Sequence, residues 1–408
     1  MTLLSTQSKE IIAATLPAVG AAIGEITPLF YRKLFAAHPE LERDLFNRGN
    51  QKQGEQQKAL AGAIAGFAVL QVDPERARED KLLARIAHKH ASLGVTADQY
   101  EIVHTHLFEA IVELLGDAVT PEVAAAWDEL YWLMAETLIS MENGLYADAG
   151  VAAGDVWRKV VVSERRNETA DSVSFVLTST DGTDLPCFVP GQYVSVGIHL
   201  LDGARQIRQY SLCSAPSAGD WQITFKRINA HILPDGSTAP TGEVSNFLYD
   251  NVFEGDVLDV TTPFGDVVLP DDDAPLLLIS AGIGCTPVIG MLHHLSETGD
   301  DRPVAVLHAD RSPSAHAHRA QLSELVGALP SGVMHRWYED LGARQPSAEI
   351  RSGRVDLNDV YIAPGTQAYL CGPLPFMHGI RTALLSKGVP EAHIHYEIFG
   401  PDSWSPAA

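Results

Sequence analysis

The sequence predicts a multidomain protein: an all-α domain, then an antiparallel β-barrel domain, then an α/β domain with a parallel sheet. Three observations carry this prediction. The chain has 408 residues, helical patterning gives way to short alternating runs near residue 150, and a buried apolar run enters a glycine turn near residue 280. At about 100 to 200 residues per domain, the length suits two to four domains. We expect domains at 1–148, 154–268 and 273–408.

The first domain has the pattern of consecutive helices. Ala, Leu, Glu and Gln dominate up to about Gly150, and prolines fall at the breaks, at Pro39, Pro74 and Pro121. The opening segment MTLLSTQSKEIIAATLPAVGAA has no basic start, and polar residues interrupt its apolar ones. This pattern indicates a helix with one apolar face rather than a signal peptide.

After the linker ADAGVAAGD, short alternating runs lie between Gly, Asp and Pro turns, which is typical of an antiparallel domain closed as a barrel. The runs are WRKVVVSERR, DSVSFVLTST, QYVSVGIHL, WQITFKRIN and GDVLDVTTP. After LPDDDAP, the apolar strands LLLIS, PVAVLHA and QAYLCGP alternate with helical segments such as TPVIGMLHHLS. That alternation predicts a parallel sheet with helices on its faces.

Charge and cysteine content exclude several classes of protein. The net charge of -23 argues against binding to nucleic acid or to an anionic membrane. The longest apolar run, APLLLISAGIGC, is too short to span a bilayer. Cys187, Cys213, Cys285 and Cys371 are far apart and form no CxxC pair. We therefore expect no disulfide framework and no zinc site, which suits a reducing cytoplasm.

Two motifs in the second half suggest cofactor binding, and each has a plainer alternative. In ISAGIGCTP, Gly282 and Gly284 lie between a buried strand and a helix, where backbone N–H groups can bind a phosphate. A tight strand-to-helix turn would look the same. In RQYSL, Arg208 and Tyr210 share one strand face and could meet a pyrophosphate and a flat ring. A half-buried strand with an exposed arginine is the alternative.

The order of the motifs is more specific than any one of them. This half of the chain resembles the ferredoxin–NADP reductase family, in which a FAD-binding barrel precedes a nicotinamide-binding domain. The motifs that carry the resemblance are PGQYVSV, RQYSL, GEVSNFL, AGIGCTP, YLCGP and HYEIFGP.

The reductase resemblance implies a role for each matching residue. Those expected to bind FAD, with Ser211 near the reactive flavin nitrogen, are Tyr193, Arg208, Gln209, Tyr210 and Ser211. Those expected near the FAD phosphates are Gly242, Val244 and Ser245. Those expected to bind NAD(P)H are Gly282, Ile283, Gly284, Cys285, Thr286 and Pro287, with Cys371, Gly372 and Pro373 flanking the nicotinamide. Those expected beside or over the flavin are Glu397, Ile398, the aromatic lid Phe399, Gly400 and Pro401.

Two features of this half depart from the pattern or leave it open. The loop at 228–243 is longer than this hairpin usually is and could reshape the rim of the flavin site. After the strand PVAVLHA, Asp310 favours NADH whereas Arg311 favours NADPH, so the sequence does not choose between the two.

Histidines in RIAHKHASLG raise the question of a metal ligand. On a helix, His90 falls on the apolar face with Leu83, Ile86 and Ala87, whereas His88 falls on the polar face. His88 and His90 therefore cannot clamp one ion together. His90 is either a hydrogen-bonded core histidine or a ligand, and His106 has the same ambiguity.

Three further polar residues lie on apolar helix faces: Tyr31, Gln56 and Glu142. A carboxylate such as Glu142 is costly to bury, by several kcal/mol, unless it has a partner. Three polar groups on three inward faces indicate a pocket, although each could also be a separately satisfied core residue.

The helical half resembles the globin domain of flavohaemoglobins, which fuse a haem-binding globin to a reductase of the kind described above. The segments that carry the resemblance are LFYRKLFAAHPELERDLFN, NQKQGEQQKALAGAI, RIAHKHASLGVTADQY and AWDELYWLMAETLISMENGLY. With both halves in order, the match covers essentially the whole chain.

This resemblance implies that His90 is the proximal ligand of the haem iron. Glu142 and Tyr100 would support that histidine, and Lys89 would face the flavin domain near Glu397. On the distal side, Tyr31 would donate to bound oxygen. The other residues expected there are Gln56, which lies close by, Leu60, which restricts the space, and Phe46, which packs on the porphyrin.

The implied function is an NAD(P)H-dependent nitric oxide dioxygenase, which converts nitric oxide and O2 to nitrate and so detoxifies nitric oxide in the cytoplasm. The implied cofactors are haem b, FAD and NADH or NADPH, and no nucleic acid, transmembrane segment or obligate protein partner is expected. Three alternatives stay open: reduction of alkyl or lipid hydroperoxides at the same haem, storage or sensing of O2 or nitric oxide without turnover, and a flavin reductase whose helical domain has lost haem.

Overall fold

A computed structural model describes residues 4–52, 54–72, 79–232, 236 and 238–400. The chain divides into two compact units. One comprises Met1–Trp157 together with Gly197–Arg208 and Gly400–Ala408, and the other comprises Arg158–Val196 and Gln209–Phe399. We call them the helical unit and the sheet unit and describe each by itself.

The helical unit consists of helices whose starts follow local chemistry. They are α1 (Thr6–Ala37), α2 (Pro39–Asp44), α3 (Arg48–Lys52), α4 (Glu55–Val72), α5 (Glu79–Leu93), α6 (Ala97–Leu115) and α7 (Pro121–Asp148). Pro39 and Pro121 lie in the first turns of α2 and α7, where the missing N–H leaves no hydrogen bond unmade. At the start of α6, the Gln99 side chain accepts from the Thr96 N–H. Pro74, a third predicted break, lies outside the described residues.

Helix α1 runs through Pro17 and Pro28, although each proline removes a backbone hydrogen bond from the helix interior. Burial offsets that cost, since Ile12, Ile26 and Leu34 are fully buried in the helical core. Of the described helices, α1 is the one that is long and apolar enough to cross a membrane, judged by length and composition alone. The absence of a transmembrane segment therefore stays a prediction.

The predicted antiparallel domain is built on a sheet with strand order β4-β3-β8-β1-β2-β5. Its strands are β1 (Trp157–Asn167), β2 (Ser172–Ser179), β3 (Tyr193–His199), β4 (Arg205–Ser211), β5 (Trp221–Lys226) and β8 (Val257–Thr261). A bridge between Leu212 and Ile223 brings the two edges together, as a barrel requires. The long loop forms a small hairpin of β6 (His231–Ile232) and β7 (Thr238–Ala239), and α8 (Glu243–Asn251) follows it.

The last part of the chain is the predicted α/β domain, with strand order β12-β11-β10-β9-β13-β14. Its elements are β9 (Leu276–Ala281), α9 (Cys285–Thr298), β10 (Val304–Asp310), α10 (Arg319–Ala328), β11 (Gly332–Tyr338), β12 (Ile350–Ser352), β13 (Gln367–Cys371), α11 (Leu374–Ser386) and β14 (Ile394–Glu397). The paired strands are parallel. The chain moves outward from β9 in one direction and returns to β13 on its other side. In open α/β sheets, ligands bind at such a switch point.

Residues 197–208, the end of β3 and the start of β4, belong to the helical unit. Gln206 is fully buried there, and its Nε2 donates to the carbonyl oxygens of Arg43 (3.1 Å) and Phe46 (3.2 Å). The Arg205 guanidinium lies 3.8 Å from the centre of the Trp157 ring. The buried Gln206 amide thus fixes residues 197–208 against the end of α2 and the turn that follows it.

A pair of buried histidines lies in the α/β domain. The rings of His308 and His316 stack with their centres 3.7 Å apart. Nδ1 of His308 is hydrogen-bonded to the Ser280 hydroxyl (2.9 Å), and Nδ1 of His316 is hydrogen-bonded to the Tyr338 hydroxyl (2.8 Å). Burial lowers the pKa of both rings, and each also lies near Arg336, which lowers the pKa further. Asp310 raises the pKa of His308, but this effect is smaller than the lowering caused by burial.

We expect His308 and His316 to stay neutral well below pH 6.5, where an exposed histidine takes up a proton. Because the unfolded chain binds these protons and the folded chain does not, each histidine lowers the free energy of unfolding by about 1.4 kcal/mol per pH unit as pH falls below about 6.5. Nitrogen-15 NMR of histidine side chains in the full chain between pH 7.5 and 5 measures this, with His316→Gln assigning the signals. Titration of either ring near pH 6.5 would contradict the burial argument.

Candidate functional site

The first cluster joins α5, α6 and α7 in the helical unit. His90 Nδ1 lies 2.8 Å from Glu142 Oε1 and 2.9 Å from the Tyr100 hydroxyl, which itself donates to Glu142 Oε1 at 2.5 Å. Glu142 is only 2% exposed, so its carboxylate is satisfied by two donors. Burial and the Glu142 charge both raise the pKa of Tyr100, so its hydroxyl stays a neutral donor.

This arrangement fixes the orientation of the imidazole and fits a metal ligand. The hydrogen bonds of His90 with other described side chains all use Nδ1, which donates its proton to the carboxylate. Nε2, on the opposite edge of the ring, keeps its lone pair. A histidine that binds a metal through one nitrogen and donates the other N–H to a carboxylate is the usual geometry of such ligands. The described residues contain no cluster of three or more His, Cys, Asp or Glu side chains that could hold a metal ion by themselves.

Two tyrosines that the sequence did not single out for a role hold the cluster in place. Tyr131 donates to the Tyr100 carbonyl oxygen at 2.5 Å, and Tyr146 donates to the Val95 carbonyl oxygen at 2.7 Å. The first bond ties α7 to the first turns of α6, and the second ties α7 to the turn between α5 and α6. Their positions on the inward face of α7 were visible in the sequence, but their backbone partners were not.

The second cluster surrounds Tyr31, which is 6% exposed. Its ring packs edge-on against Phe30 (4.7 Å between centres) and Phe46 (5.9 Å), and it also contacts Phe35 (5.6 Å). Burial raises the pKa of Tyr31, and a hydrogen bond with the Gln51 side chain opposes this effect without cancelling it. Tyr31 therefore carries a neutral hydroxyl in an apolar setting, where a hydrogen bond to a ligand is strong.

Gln56 is part of a chain of three glutamines beside Tyr31. Gln51 Nε2 donates to Gln56 Oε1 at 2.9 Å, and Gln57 Nε2 donates to Gln51 Oε1 at 3.0 Å. Gln51 and Gln57 were missed in the sequence because the turn between α3 and α4 hides which glutamine points inward. Leu60, one turn beyond Gln56, is half-buried against the helical core.

His106 is not part of either cluster. Its Nδ1 lies 3.2 Å from Glu109 Oε2 on the same helix, and its ring contacts His38 at 5.6 Å. His106 is thus a histidine whose hydrogen bond is formed within its own helix. His88 and Lys89 are half-buried on α5.

The expected flavin-binding motif lies on β3 and β4. Gln209 Nε2 donates to Ser195 Oγ at 2.9 Å, the Tyr210 ring lies 5.9 Å from that of Phe225, and Ser211 is buried. Tyr193, at the start of β3, is also buried. In the helical unit, Arg208 donates to Asn47 Oδ1 at 2.8 Å, so its guanidinium has a protein partner that the sequence did not suggest.

The expected phosphate contact of FAD lies at the first turn of α8, where Gly242 is the N-cap residue. Val244 is fully buried in this turn, and the Ser245 hydroxyl is buried without a hydrogen-bond partner among the described residues. A buried hydroxyl without a partner is costly. At a helix N-terminus, an anionic oxygen is the partner that would remove this cost. The turn therefore fits a phosphate group.

The expected nicotinamide site lies at the switch point of the parallel sheet. Gly282 has a φ of 55°, a backbone conformation that favours glycine. A Cβ atom on Gly284 would lie 2.5 Å from the Cys371 carbonyl oxygen and 2.9 Å from the Gly372 nitrogen. The two loops can approach this closely only because residue 284 is glycine. The residues that start α9 and are buried there are Cys285, Thr286 and Pro287.

The residues on either side of this site have different surroundings. Burial raises the pKa of the Cys371 thiol well above its usual value, so it stays protonated. Ile283 lies within the glycine turn, and Pro373 is the N-cap residue of α11. Glu397 ends β14, Ile398 is half-buried, and Phe399 and Gly400 are exposed. Pro401 lies outside the described residues.

Asp310 and Arg311, which left the choice between NADH and NADPH open in the sequence, differ in exposure. The Asp310 side chain is only 3% exposed, and its Oδ1 accepts from the Arg311 N–H at 2.7 Å. The Arg311 side chain is 67% exposed, with its guanidinium 3.4 Å from Asp171 Oδ2. Asp310 is thus turned into the domain rather than offered to a ribose.

Comparison with known proteins assigns the two halves. A globin family model matches residues 29–138, and a model of the oxidoreductase NAD-binding domain matches residues 278–382. Fold, clusters and these matches define a globin joined to a pyridine-nucleotide oxidoreductase. The chain is 40% identical to a flavohemoprotein of Bordetella pertussis and 38% identical to one of Rhizobium meliloti, in both cases over 98% of this chain and 99% of the relative. The chain belongs to the flavohemoprotein family.

Solved structures agree with this assignment. The flavohemoglobin of Malassezia yamatoensis, solved with bound FAD and heme, is 35% identical and matches 98% of this chain and all of its own, with a TM-score of 0.86. The FAD/NAD-binding domain of nitric oxide dioxygenase from Vibrio cholerae is 34% identical and matches 60% of this chain and 99% of its own, with a TM-score of 0.53. The predicted fold class, a globin followed by an antiparallel FAD-type domain and a parallel NAD-type domain, is confirmed.

We expect Glu142→Gln to keep the shape of the His90 cluster but to remove its charge. The imidazole then donates less electron density, so the iron–histidine stretching frequency of the haem-loaded ferrous protein falls and turnover drops about tenfold or more. Resonance Raman spectroscopy measures the first effect. The matched control is Glu136→Gln, an exposed change on the same helix. Equal stretching frequencies in Glu142→Gln and wild type would contradict the role of the carboxylate.

We expect Gly284→Ala to separate the loops that end β9 and β13, because its Cβ atom has no room beside Cys371. Reduction of bound FAD by NADH then slows about tenfold or more, since a displacement of about 1 Å is costly for a transfer reaction. Stopped-flow absorbance measures this rate. Gly379→Ala on α11 is the control, because nothing lies within 4 Å of its Cβ position. A normal rate of FAD reduction in Gly284→Ala would show that the close approach is not needed.

Proposed function

We propose that this protein is an NAD(P)H-dependent nitric oxide dioxygenase that uses haem b, FAD and NADH or NADPH to convert nitric oxide and O2 to nitrate. The observation that carries the proposal is the buried His90–Glu142–Tyr100 cluster. A histidine held in this way by a carboxylate serves oxygen activation better than oxygen storage, because it is an electron-rich ligand. The sheet unit of the same chain would supply the electrons.

Haem binding is proposed for the helical unit, with His90 as the proximal ligand through Nε2 and Phe46 packed on the porphyrin. When bound, haem supplies an iron centre at which O2 and nitric oxide can react. Glu142 accepts the Nδ1 proton and keeps the imidazole in one tautomer. Tyr31 offers a neutral hydroxyl to the ligand side, with Gln56 as a second polar group and Leu60 as an apolar wall.

FAD binding is proposed for Tyr193, Arg208 to Ser211, and the α8 turn at Gly242 to Ser245. NAD(P)H binding is proposed for Gly282 to Pro287, with Cys371, Gly372 and Pro373 beside the nicotinamide. FAD converts a two-electron hydride donor into a source of single electrons, which an iron acceptor requires. Glu397 to Phe399 would border the flavin, with Phe399 as its aromatic lid. We retain 1–148, 154–268 and 273–408 as the proposed functional domains.

A second candidate is the reduction of alkyl or lipid hydroperoxides at the same haem. The apolar surroundings of Tyr31, which consist of Phe30, Phe35 and Phe46, favour it because they suit an apolar substrate or a bound lipid. We propose a cytoplasmic location and no obligate protein partner or transmembrane segment in either case.

We expect the purified, haem-loaded protein in aerated buffer to consume nitric oxide continuously when NADH or NADPH is present, with nitrate as the product. A nitric oxide electrode follows the reaction, and omission of nucleotide or of O2 is the control. His90→Ala should lose haem, and with the haem all nitric oxide turnover, but it should keep FAD. The matched control is His88→Ala on the same helix.

Other outcomes separate the alternatives. Consumption of one equivalent of nitric oxide per haem would mean that the electron path does not recycle the iron, as in a binding or sensing globin. Absence of nitric oxide consumption together with nucleotide-dependent loss of an alkyl hydroperoxide would favour the second candidate. Retention of haem by His90→Ala would contradict the proposed ligand.

A further inference from the structure

The chain of glutamines beside Tyr31 has a direction that the backbone sets. Gln57 Nε2 lies 3.3 Å from the Gln51 carbonyl oxygen and 3.0 Å from Gln51 Oε1. A backbone carbonyl can only accept a hydrogen bond, so the end of the Gln57 amide that faces it is the amino group. The opposite orientation would set the Gln57 oxygen against that carbonyl.

The direction passes from Gln57 through Gln51 to Gln56. Because Gln57 donates to Gln51 Oε1, the other end of the Gln51 amide is its amino group, which donates to Gln56 Oε1 at 2.9 Å. The Gln56 oxygen is thereby used within the chain of amides. The half of Gln56 that remains for a ligand is the amino group, which is a donor.

Tyr31 is oriented by the same residue. The Gln51 side chain also lies near the Tyr31 hydroxyl, and since the Gln51 oxygen already accepts from Gln57, its amino group is the part that faces the phenol oxygen. With a donor facing its oxygen, Tyr31 keeps its own O–H for another acceptor.

Burial of the amides makes one orientation of this chain more stable than the other. Gln51 is 9% exposed, and buried amides are stable only when their donors and acceptors are matched. Gln57 Oε1 is buried without a partner among the described residues. Rotation of the Gln57 amide would not give its oxygen a donor, because the oxygen would then face the Gln51 carbonyl oxygen and Gln51 Oε1, which are both acceptors. The chain therefore has one stable direction.

We propose that Gln51 is a positioning residue that makes both Tyr31 and Gln56 hydrogen-bond donors toward the ligand side of the haem pocket. This role rests on the function proposed above, since it supposes that haem is bound at His90. A negatively polarised diatomic ligand would then meet two donors and no acceptor, which is the arrangement that stabilises it.

The test uses the full chain loaded with haem and carbon monoxide as the probe. Gln51→Glu has nearly the same shape but no donor, so the Tyr31 O–H turns to the new carboxylate and away from the ligand. We expect the carbon monoxide stretching frequency in the infrared to rise and O2 dissociation to become about two- to tenfold faster, as for the loss of a hydrogen bond. Tyr31→Phe should change both readouts in the same direction.

A second variant and a control complete the experiment. Gln57→Leu leaves Gln51 in place but removes the anchor of its direction, so we expect two carbon monoxide bands, one of them at the wild-type position. Gln7→Glu makes the same chemical change at an exposed position of α1 and should leave the spectrum unchanged. If Gln51→Glu does not take up haem, Gln57→Leu decides the question.

The outcomes distinguish this proposal from the proposed function. An unshifted band in Gln51→Glu with normal haem content, or a single wild-type band in Gln57→Leu, would overturn the role of Gln51. Shifted bands in a protein without nitric oxide turnover would support the role of Gln51 and refute the dioxygenase. Failure of the wild-type chain to bind haem, seen by visible absorption, would overturn both.

Discussion

The helical unit depends on one buried carboxylate. Removing Glu142 from water costs several kcal/mol unless hydrogen-bond donors replace the water, and the chain provides two, the His90 imidazole and the Tyr100 hydroxyl. These three residues lie on three different helices, so the electrostatic requirement of one side chain fixes the relative positions of α5, α6 and α7. The hydrogen bonds of Tyr131 and Tyr146 to backbone carbonyls extend the same restraint to the start of α6 and to the turn before it.

Elsewhere in the chain, the same cost of burial is met without charge. Tyr31 and Gln51 form a neutral network, in which burial keeps the phenol protonated. His308 and His316 are kept neutral by burial and by hydroxyl partners. Charge is thus retained beside His90, where an electron-rich ligand is useful, and neutral donors are used beside Tyr31, where a ligand would be held. This division follows from chemistry, because a buried anion beside a negatively polarised ligand would repel it.

The sequence predicted features that depend on local periodicity, and it missed those that depend on contacts between distant segments. The alternating strands, the glycine turn at Gly282 and the inward position of Glu142 each follow from a few neighbouring residues. Gln206 could not be predicted, since its partners Arg43 and Phe46 lie about 160 residues away along the chain. Gln51 was hidden by a helix break, across which helical periodicity gives no direction. Helix α1 continues through Pro17 and Pro28, which local propensity alone does not favour.

The net charge of -23 constrains how this chain can bind phosphates. Long-range attraction does not favour the approach of an anionic nucleotide, so binding has to come from short-range donors. Helix starts provide these donors, and acidic side chains usually gather there to complement the dipole. The first turns of α9 and α11, beside the proposed nicotinamide site, contain no acidic residue, although the chain has 52 of them. The N-terminal ends of these helices thus carry no side-chain charge that would repel the phosphates of a nucleotide, so an anionic reductant can be bound there although the chain as a whole is acidic.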